Sequence, residues 1–455
     1  MRKYHLMSLA AIAVLLLLLV MPTVNANAAS SGKCGENVSW RLDDNGVLII
    51  SGSGPMTNYT MPEAYEGEGS YKKKKYKESP WCDSKKITAI KVEKGVTSIG
   101  DWAFCGCDRL KTVTLPDSIT SIGEWTFSGC DRLKTVTLPD SVTDIGDHIF
   151  MICRNLESIK LSDQLEYIPD FAFCYCSSLK SISIPDNVTY IGLRAFDNCT
   201  GLKSIRIPAS VGGIGYYAFS ECSSLASIIV DAGNQRYDSR NGCNAIIETD
   251  EGNLLLGCNN TVIPAGITSI EAESFVNCSR LKNITIPNTV TKIGTDAFNG
   301  CSSLKSITVP DSVKNIGYRA FAYCSKLQTV RLPKDLMKIE HELFSGCASL
   351  KTIKIPDKVT EIENSAFSDC KKLTTVVIGK NVRKIAESAF EDAKAKTITL
   401  KTKRLKKASV KGILRLTNTR TIKVKVGSKK TNKKYVKKYR KLFTKKIVGR
   451  KVLVK

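Results

Sequence analysis

The sequence predicts a repeat solenoid, a coil of short stacked turns with a parallel β-sheet along one face. Phenylalanines recur every 23 residues from Phe104 to Phe219 and again, after a gap of 56 residues, from Phe275 to Phe390. Each of these twelve residues has an Ile five positions before it, and eleven have a Cys three positions after it and a Leu six positions after it. A unit this short cannot bury its own apolar face, so neighbouring units must stack and share one core.

The first element is an export leader. The chain opens with Arg2 and Lys3, continues with an apolar run from Leu6 to Met21, and reaches the small-residue pattern Ala26-Asn27-Ala28. We interpret residues 1–28 as a secretory signal peptide and expect the mature chain to begin near Ala29. The alternative is an uncleaved anchor, but the apolar run is shorter than the ~20 residues that a spanning helix needs.

Within each repeat, a Leu-x-x-Ile-x-Ile segment predicts a short strand. Leu179, Ile182 and Ile184 are an example, and the Pro185 that follows ends the strand. Stacked strands of this kind form a parallel sheet with a spacing of ~4.7–4.9 Å per turn. The Val-x-x-Ile-Gly-x-x-Ala-Phe segment then returns along the opposite side. We place six repeats in residues 93–229 and six in residues 263–400.

One block resembles a known family. The residues from Cys176 to Gly192, Cys-Ser-Ser-Leu-Lys-Ser-Ile-Ser-Ile-Pro-Asp-Asn-Val-Thr-Tyr-Ile-Gly, are similar to the BspA-type leucine-rich repeat of bacterial surface proteins. The resemblance implies a leucine-rich-repeat-like solenoid with a β-rich N-terminal cap over residues 29–92 and a hairpin island over residues 230–262. It also implies surface display, adhesion and binding of host proteins such as fibronectin or fibrinogen.

The last element, residues 401–455, is predicted to be a basic C-terminal cap that covers the final apolar face of the solenoid. From Lys394 onward the chain has 25 Lys and Arg and no Asp or Glu, so the tail carries the entire net charge of +25. Capping alone does not require this charge, which favours an anionic cell-wall polymer or lipid headgroups as a partner. Nucleic acid is disfavoured because the protein is exported. The predicted basic patch comprises Lys429, Lys430, Lys433, Lys434, Lys437, Lys438, Arg440, Lys441, Lys445 and Lys446.

The strongest candidate for ligand binding lies two residues before each Phe. In the first six repeats this position holds Trp102, Trp125, His148, Phe171, Arg194 and Tyr217, which we name the aromatic stripe. In the second six it holds Glu273, Asp296, Arg319, Glu342, Ser365 and Ser388. A contiguous row of rings could hold a glycan or anchor a protein. The alternative is that the rings pack on each other and cover the return side of the solenoid.

Seventeen Cys in an exported chain raise the question of disulfides. Eleven of them recur at one structural position, beside Phe and Leu, and we interpret these as buried thiols, which we name the cysteine ladder. Cys34 with Cys82 and Cys243 with Cys258 lie outside the ladder and are possible disulfides, although either pair could be free. Cys105-Gly-Cys107 and Cys174-Tyr-Cys176 are too far apart to share a zinc ion, so no metal site is predicted.

The sequence therefore predicts a secreted, surface-associated binding protein whose partner is a host extracellular protein or glycan. No nucleophile with a base, no phosphate-binding Gly loop and no pair of carboxylates in a shared pocket can be recognised, so neither an enzyme nor a cofactor is predicted. The alternative function is a structural envelope protein without a specific ligand.

Overall fold

The computed structural model describes residues 30–60, 78–81, 85–407, 409, 419–444 and 451–455. The predicted signal peptide, Cys82, Lys445 and Lys446 lie outside these residues. In the described part of the chain, no helix is both long enough and apolar enough to cross a membrane.

The predicted solenoid is confirmed, with about 14 turns. Strands from successive turns pair in parallel, 23 residues apart, as Thr135 does with Ser158. The Leu-x-x-Ile-x-Ile segments and their extension into the tail form what we name the first strand ladder. Its strands are Ala89–Val92, Thr112–Thr114, Thr135–Thr137, Ser158–Lys160, Ser204–Ile207, Ser227–Val230, Ser306–Thr308, Thr329–Arg331, Thr352–Lys354, Thr375–Ile378, Thr397–Leu400, Thr421–Val424 and Leu453–Val454.

A second parallel ladder runs along the return side, where the sequence predicted no sheet. Its short strands end at the Ile that lies five residues before each Phe, and this Ile is buried in nearly every turn. The prediction of a sheet on one face only was therefore incomplete. The strands of this second ladder are Val96–Ile99, Ser121–Ile122, Asp144–Ile145, Tyr167–Ile168, Tyr190–Ile191, Gly213–Ile214, Ser269–Ile270, Lys292–Ile293, Asn315–Ile316, Lys338–Ile339, Glu361–Ile362 and Lys384–Ile385.

The core between the two ladders is organised by the repeated Phe. The rings of neighbouring turns are nearly parallel, with centroids 5.2–5.6 Å apart from Phe104 to Phe219 and 4.9–5.6 Å apart from Phe275 to Phe390. Trp81 stacks on Phe104 and thus holds the corresponding position in the preceding turn. Burial of these rings and of the Ile and Leu around them supplies the main stabilisation of the array.

An additional turn separates the two Phe stacks. A hairpin, Ala245–Glu248 with Asn253–Gly257, follows the short strand Tyr237–Asp238 and the 3-10 turn Arg240–Gly242. The Gly257 N–H donates to the carbonyl of Ser274, just as the N–H of ten of the twelve repeated Phe residues donates to the carbonyl of the residue before the next Phe. A Cβ atom at position 257 would lie 2.1 Å from the Phe275 ring, so only glycine fits here.

Additional strands and a helix lie at the two ends of the array. Strands Ser31–Lys33 and Val38–Leu42 are antiparallel, whereas Val47–Gly52 pairs in parallel with Ala89–Val92, so this sheet is continuous with the first ladder. The two-residue strand Gly54–Pro55 joins the second ladder. At the other end, the helix Lys429–Leu442 packs beside the last strands of the first ladder.

Candidate functional site

The aromatic stripe lies at a left-handed turn of the backbone. All six residues have a positive φ, between 51° and 60°. The N–H of Trp102 donates to the carbonyl of Glu124 at 2.8 Å, and the N–H of Trp125 donates to that of Asp147 at 2.9 Å. These bonds between turns hold each stripe residue directly beside the one in the next turn.

The first four stripe residues form one continuous stack. Ring centroids are 4.6 Å apart for Trp102 and Trp125, 3.9 Å for Trp125 and His148, and 4.6 Å for His148 and Phe171, with interplanar angles of 7–9°. Further along, the Arg194 guanidinium lies 5.3 Å from the centroid of the Tyr217 ring, a cation–π contact. The four rings are half-buried, while Arg194 and Tyr217 are exposed.

His148 belongs to this stack as a neutral ring. Burial between the neighbouring rings lowers its pKa to about 4, although the nearby Asp170 carboxylate acts in the opposite direction. Its Nδ1 atom is buried and has no hydrogen-bond partner in the described chain. At neutral pH the stack from Trp102 to Phe171 therefore carries no charge.

The burial of His148 predicts a pH dependence of stability. Unfolding returns the imidazole to its usual pKa of about 6.5, so between pH 6.5 and pH 4 the unfolded chain binds a proton that the folded chain does not. Proton uptake by the unfolded chain therefore does not affect the free energy of unfolding above pH 6.5, and it lowers that free energy progressively as the pH falls towards 4. We expect a loss of about 1–3 kcal/mol in the free energy of unfolding across this range.

The matched variant is His148→Phe, which keeps a stacked ring and removes the titration. Denaturant unfolding of both proteins at pH 7 and pH 4.5 should give a smaller difference for the variant. Burial raises the pKa of Asp197 to about 6, so this group stabilises the fold less as the pH rises, but it is common to both proteins and cancels. Equal pH dependence in the two proteins would contradict the assignment.

The second array shows that the fold does not require rings at this position. Glu273, Asp296 and Glu342 replace them with φ values of 51–58°. Here the Arg319 Nε atom lies 3.3 Å from an Asp296 oxygen and 3.7 Å from a Glu342 oxygen, so charged pairs take the place of the ring stack. The same backbone geometry is thus compatible with two chemically different rows.

A second left-handed position provides an internal comparison. Two residues after each Phe the backbone again has a positive φ, and eight of these twelve residues are Gly, Asn or Asp, which tolerate it best. In the aromatic stripe the same conformation is adopted by Trp, His, Phe, Arg and Tyr, at a cost of about 1 kcal/mol each. The backbone therefore does not explain the choice of aromatic residues.

The cysteine ladder consists of buried free thiols. The Cys153 Sγ atom donates to the carbonyl of Phe127 at 3.0 Å, and ladder cysteines from Cys130 to Cys370 make the same contact, except that Cys278 contacts Gly257 at 3.9 Å. Burial raises the pKa of Cys324 to about 12. These groups are structural rather than reactive.

Cys243 and Cys258, which the sequence left open as either a disulfide or free thiols, are not joined in the structure. Both are free, buried thiols, and the Cys258 Sγ atom donates to the carbonyl of Asn244 at 3.5 Å. Cys34 is likewise a free thiol, but its suggested partner Cys82 lies outside the described residues. Thr261 fixes the Cys258 loop instead, by accepting from the Cys258 N–H at 2.7 Å.

Most of the predicted basic patch lies on the helix Lys429–Leu442. Ser428 caps its start by accepting from the Thr431 N–H, and the buried Tyr439 hydroxyl donates to the carbonyl of Thr402 at 2.7 Å. With one face thus packed on the solenoid, the other is exposed and carries eight basic side chains. They are Lys429, Lys430, Lys433, Lys434, Lys437, Lys438, Arg440 and Lys441.

A row of carboxylates beside the stripe was missed by sequence reasoning. It lies three residues before each Phe and comprises Asp101, Glu124, Asp147 and Asp170, in the four repeats that carry the stacked rings. Oδ1 of the three Asp residues accepts a backbone N–H from the next turn at 2.7–3.0 Å. The signal was available in the sequence, since reading down this column of the repeats would have revealed it.

Comparison with known proteins gives one family. The model of the BspA type leucine rich repeat region matches in six copies, over residues 77–178, 166–243, 256–374 and 338–442. No curated protein matches the chain.

Solved structures with the same fold come from several bacteria. A leucine-rich repeat protein from Eubacterium ventriosum is 26% identical with a TM-score of 0.60, covering 86% of this chain and 95% of its own. A leucine rich cell surface protein from Faecalibacterium prausnitzii is 29% identical with a TM-score of 0.57, covering 83% and 96%. The pneumococcal vaccine antigen PcpA shares the fold at 20% identity and a TM-score of 0.50, over 90% of this chain and 96% of its own.

Proposed function

This chain belongs to the family of BspA-type leucine-rich repeat proteins, and from that premise we propose that it is an exported surface protein that binds a host extracellular protein or glycan. The description of the Faecalibacterium prausnitzii relative as a cell surface protein supports the location. The leader pattern at residues 1–28 supports export.

The observation that carries the proposal is the choice of side chains in the aromatic stripe. Rings occupy this left-handed position in five of the six repeats of the first array, whereas the second array fills it with Glu, Asp, Arg and Ser. Because the solenoid folds with either set, the rings are available for a role beyond folding. Half-exposed Trp is also the residue type that contributes most to binding energy at interfaces.

We expect the double variant Trp102→Ala and Trp125→Ala to lose at least tenfold in affinity for its ligand while retaining its fold. The measurement is binding to extracellular matrix proteins and glycan arrays, with circular dichroism to verify folding. The matched control is Ser365→Ala with Ser388→Ala, the same repeat position in the second array. Normal binding by the tryptophan variant would favour the alternative, a structural envelope protein without a specific ligand.

The basic helix is proposed to hold the protein at the envelope. Its eight exposed basic side chains have no ion pair to an acidic group within the described residues, and no acidic residue occurs from Lys394 onward. An anionic cell-wall polymer or a layer of lipid headgroups would supply the missing countercharge.

Retention should therefore depend on salt. The Debye length falls from ~10 Å at 0.1 M to ~3 Å at 1 M, so washing cells in molar salt is expected to release the intact protein. Changing Lys429, Lys430, Lys433, Lys434, Lys437 and Lys441 to Gln should release it at lower salt. Lys438 and Arg440 are kept because Lys438 contacts the Tyr435 ring and Arg440 donates to the carbonyl of Val454.

A matched control removes the same charge elsewhere. Six exposed lysines of the body, changed to Gln, should leave retention unaltered. If the helix variant stays bound in molar salt, or if both variants release alike, the helix is not the anchor. The control positions are Lys111, Lys180, Lys203, Lys282, Lys305 and Lys351.

A further inference from the structure

The rings of the aromatic stripe present their edges, not their faces, to a ligand. Trp125 and His148 have a parallel ring 3.9–4.6 Å away on both sides, so neither face is open. Trp102 and Phe171, at the ends of the stack, each have one face covered in this way. A ligand that approaches the stack from solvent therefore meets ring edges, and stacking on the central rings is excluded.

The edges of the two tryptophans carry hydrogen-bond donors. Trp81, in the core, donates its Nε1–H to the carbonyl of Ala103 at 2.6 Å. Neither Trp102 nor Trp125 has such a partner in the described chain, and neither Nε1 is among its buried unpaired atoms. These two N–H groups are thus exposed donors one turn apart.

The carboxylate row supplies acceptors beside these donors. Asp101, Asp147 and Asp170 use Oδ1 for a backbone N–H, and Oδ2 makes no bond to the described residues. None of the three forms an ion pair with a Lys or Arg in that part of the chain. Each of these carboxylates directly precedes a stripe residue in the chain, and the His148 N–H donates to the Asp170 carbonyl at 2.9 Å, so the row runs beside the stack.

We propose that the aromatic stripe binds an uncharged polyhydroxyl chain, a neutral glycan, that runs along the solenoid axis and is held by the ring-edge donors and the carboxylate acceptors. Glycan hydroxyl groups both donate and accept, so they satisfy indole N–H and carboxylate alike. The inference rests on the proposed function and gives its ligand class.

Two other ligand classes fit less well. An anionic polymer would meet the carboxylates of Asp101, Asp147 and Asp170 and be repelled, because like charges at contact distance are unfavourable. A basic protein segment would pair with the carboxylates, but its Lys and Arg side chains only donate, so only its backbone carbonyls could accept from the two indole N–H groups. A basic side chain also cannot make a cation–π contact with Trp125 or His148, because both faces of each ring are covered.

The decisive variant is Trp102→Phe with Trp125→Phe, which retains two stacked aromatic rings but removes the N–H donors together with one ring of each indole. The wild-type mature chain, this phenylalanine variant and the alanine variant (Trp102→Ala with Trp125→Ala) are each tested for binding to immobilised dextran, mannan, dextran sulfate and polylysine. The basic helix is intact in all of these variants and can bind dextran sulfate by itself. Binding is therefore assigned to the aromatic stripe only when the alanine variant loses it. Circular dichroism melting verifies that each variant is folded.

We expect stripe-dependent binding to dextran or mannan, weakened roughly tenfold or more by the phenylalanine variant. Changing Asp101, Asp147 and Asp170 together to Asn should weaken it less, because an amide oxygen still accepts. Wild-type affinity in the phenylalanine variant overturns the inference, as does the absence of stripe-dependent binding to either neutral polymer. Stripe-dependent binding to polylysine, abolished by the Asn changes, identifies a basic segment instead. The broader proposal fails only if the alanine variant also binds matrix proteins and glycan arrays normally.

Discussion

Replacing Phe298 by Ala is expected to lower the free energy of unfolding of the second array by about 3–5 kcal/mol. Its ring is fully buried and stacks on Phe275 at 4.9 Å and on Phe321 at 5.3 Å. Removal of the ring creates a cavity that touches three turns at once. Because each turn is supported only by its neighbours, the loss cannot be spread over a larger core.

Denaturant unfolding followed by circular dichroism measures this effect. Phe298→Leu, which preserves most of the volume, is the matched variant and should cost less than half as much. An alanine variant as stable as the leucine variant would show that the ring stack does not support the array. A broadened or two-step transition is compatible with the argument, since repeat arrays can unfold in parts.

Native protein is expected to react with thiol reagents about a thousandfold more slowly than denatured protein. The thiolate is the reactive species, and a pKa of about 12 for Cys324, against about 9 for a solvated thiol, reduces its fraction at neutral pH by that factor. Burial raises the pKa of Cys199, Cys301 and Cys347 as well.

The same experiment counts the thiols. In denaturant without reductant, all sixteen cysteines that the structure describes as free should react. A count close to one would mean eight disulfides and would contradict the buried ladder. Mapping the modified peptides should find Cys34 among them, because Cys34 is a free thiol in the structure and not the disulfide partner suggested for Cys82.

The core of the fold could be predicted because its period is carried by side chains that must be buried. Phe, Leu and Ile at fixed positions in a 23-residue unit leave few arrangements other than stacked turns. The second ladder was missed because its strands are too short to carry a recognisable pattern. Strands such as Ser121–Ile122 have two residues, too few for the alternation of exposed and buried side chains to be recognised.

The turn at Gly257 was missed because the repeat signal is absent there. The twelve Phe turns and the Trp81 turn carry an aromatic ring at this position, whereas this turn carries the residue that makes room for the Phe275 ring. A search for Phe at regular spacing therefore finds a gap where the structure has a turn.

The ring stack could be anticipated from the column of residues, but its orientation could not. Nothing local in the sequence indicates a positive φ at Trp102 or Phe171, because bulky residues are poorly suited to it. In this conformation the rings of Trp102, Trp125, His148 and Phe171 stack face to face from turn to turn. The sequence left open whether the rings hold a ligand or pack on each other, and the structure shows that they pack face to face, with their edges left for contact.

The opposite placement of the basic helix and the aromatic stripe sets a stand-off distance. About ten turns separate the turn of Phe171 from the last strands of the first ladder, and at the spacing of parallel strands this corresponds to about 50 Å. A molecule tethered through the helix would hold its ring edges at that height, several Debye lengths beyond the charge of the cell surface. In this family, the number of turns would then set the distance between the cell surface and the binding site. Insertion or deletion of a 23-residue repeat would change that distance without altering the basic helix or the aromatic stripe.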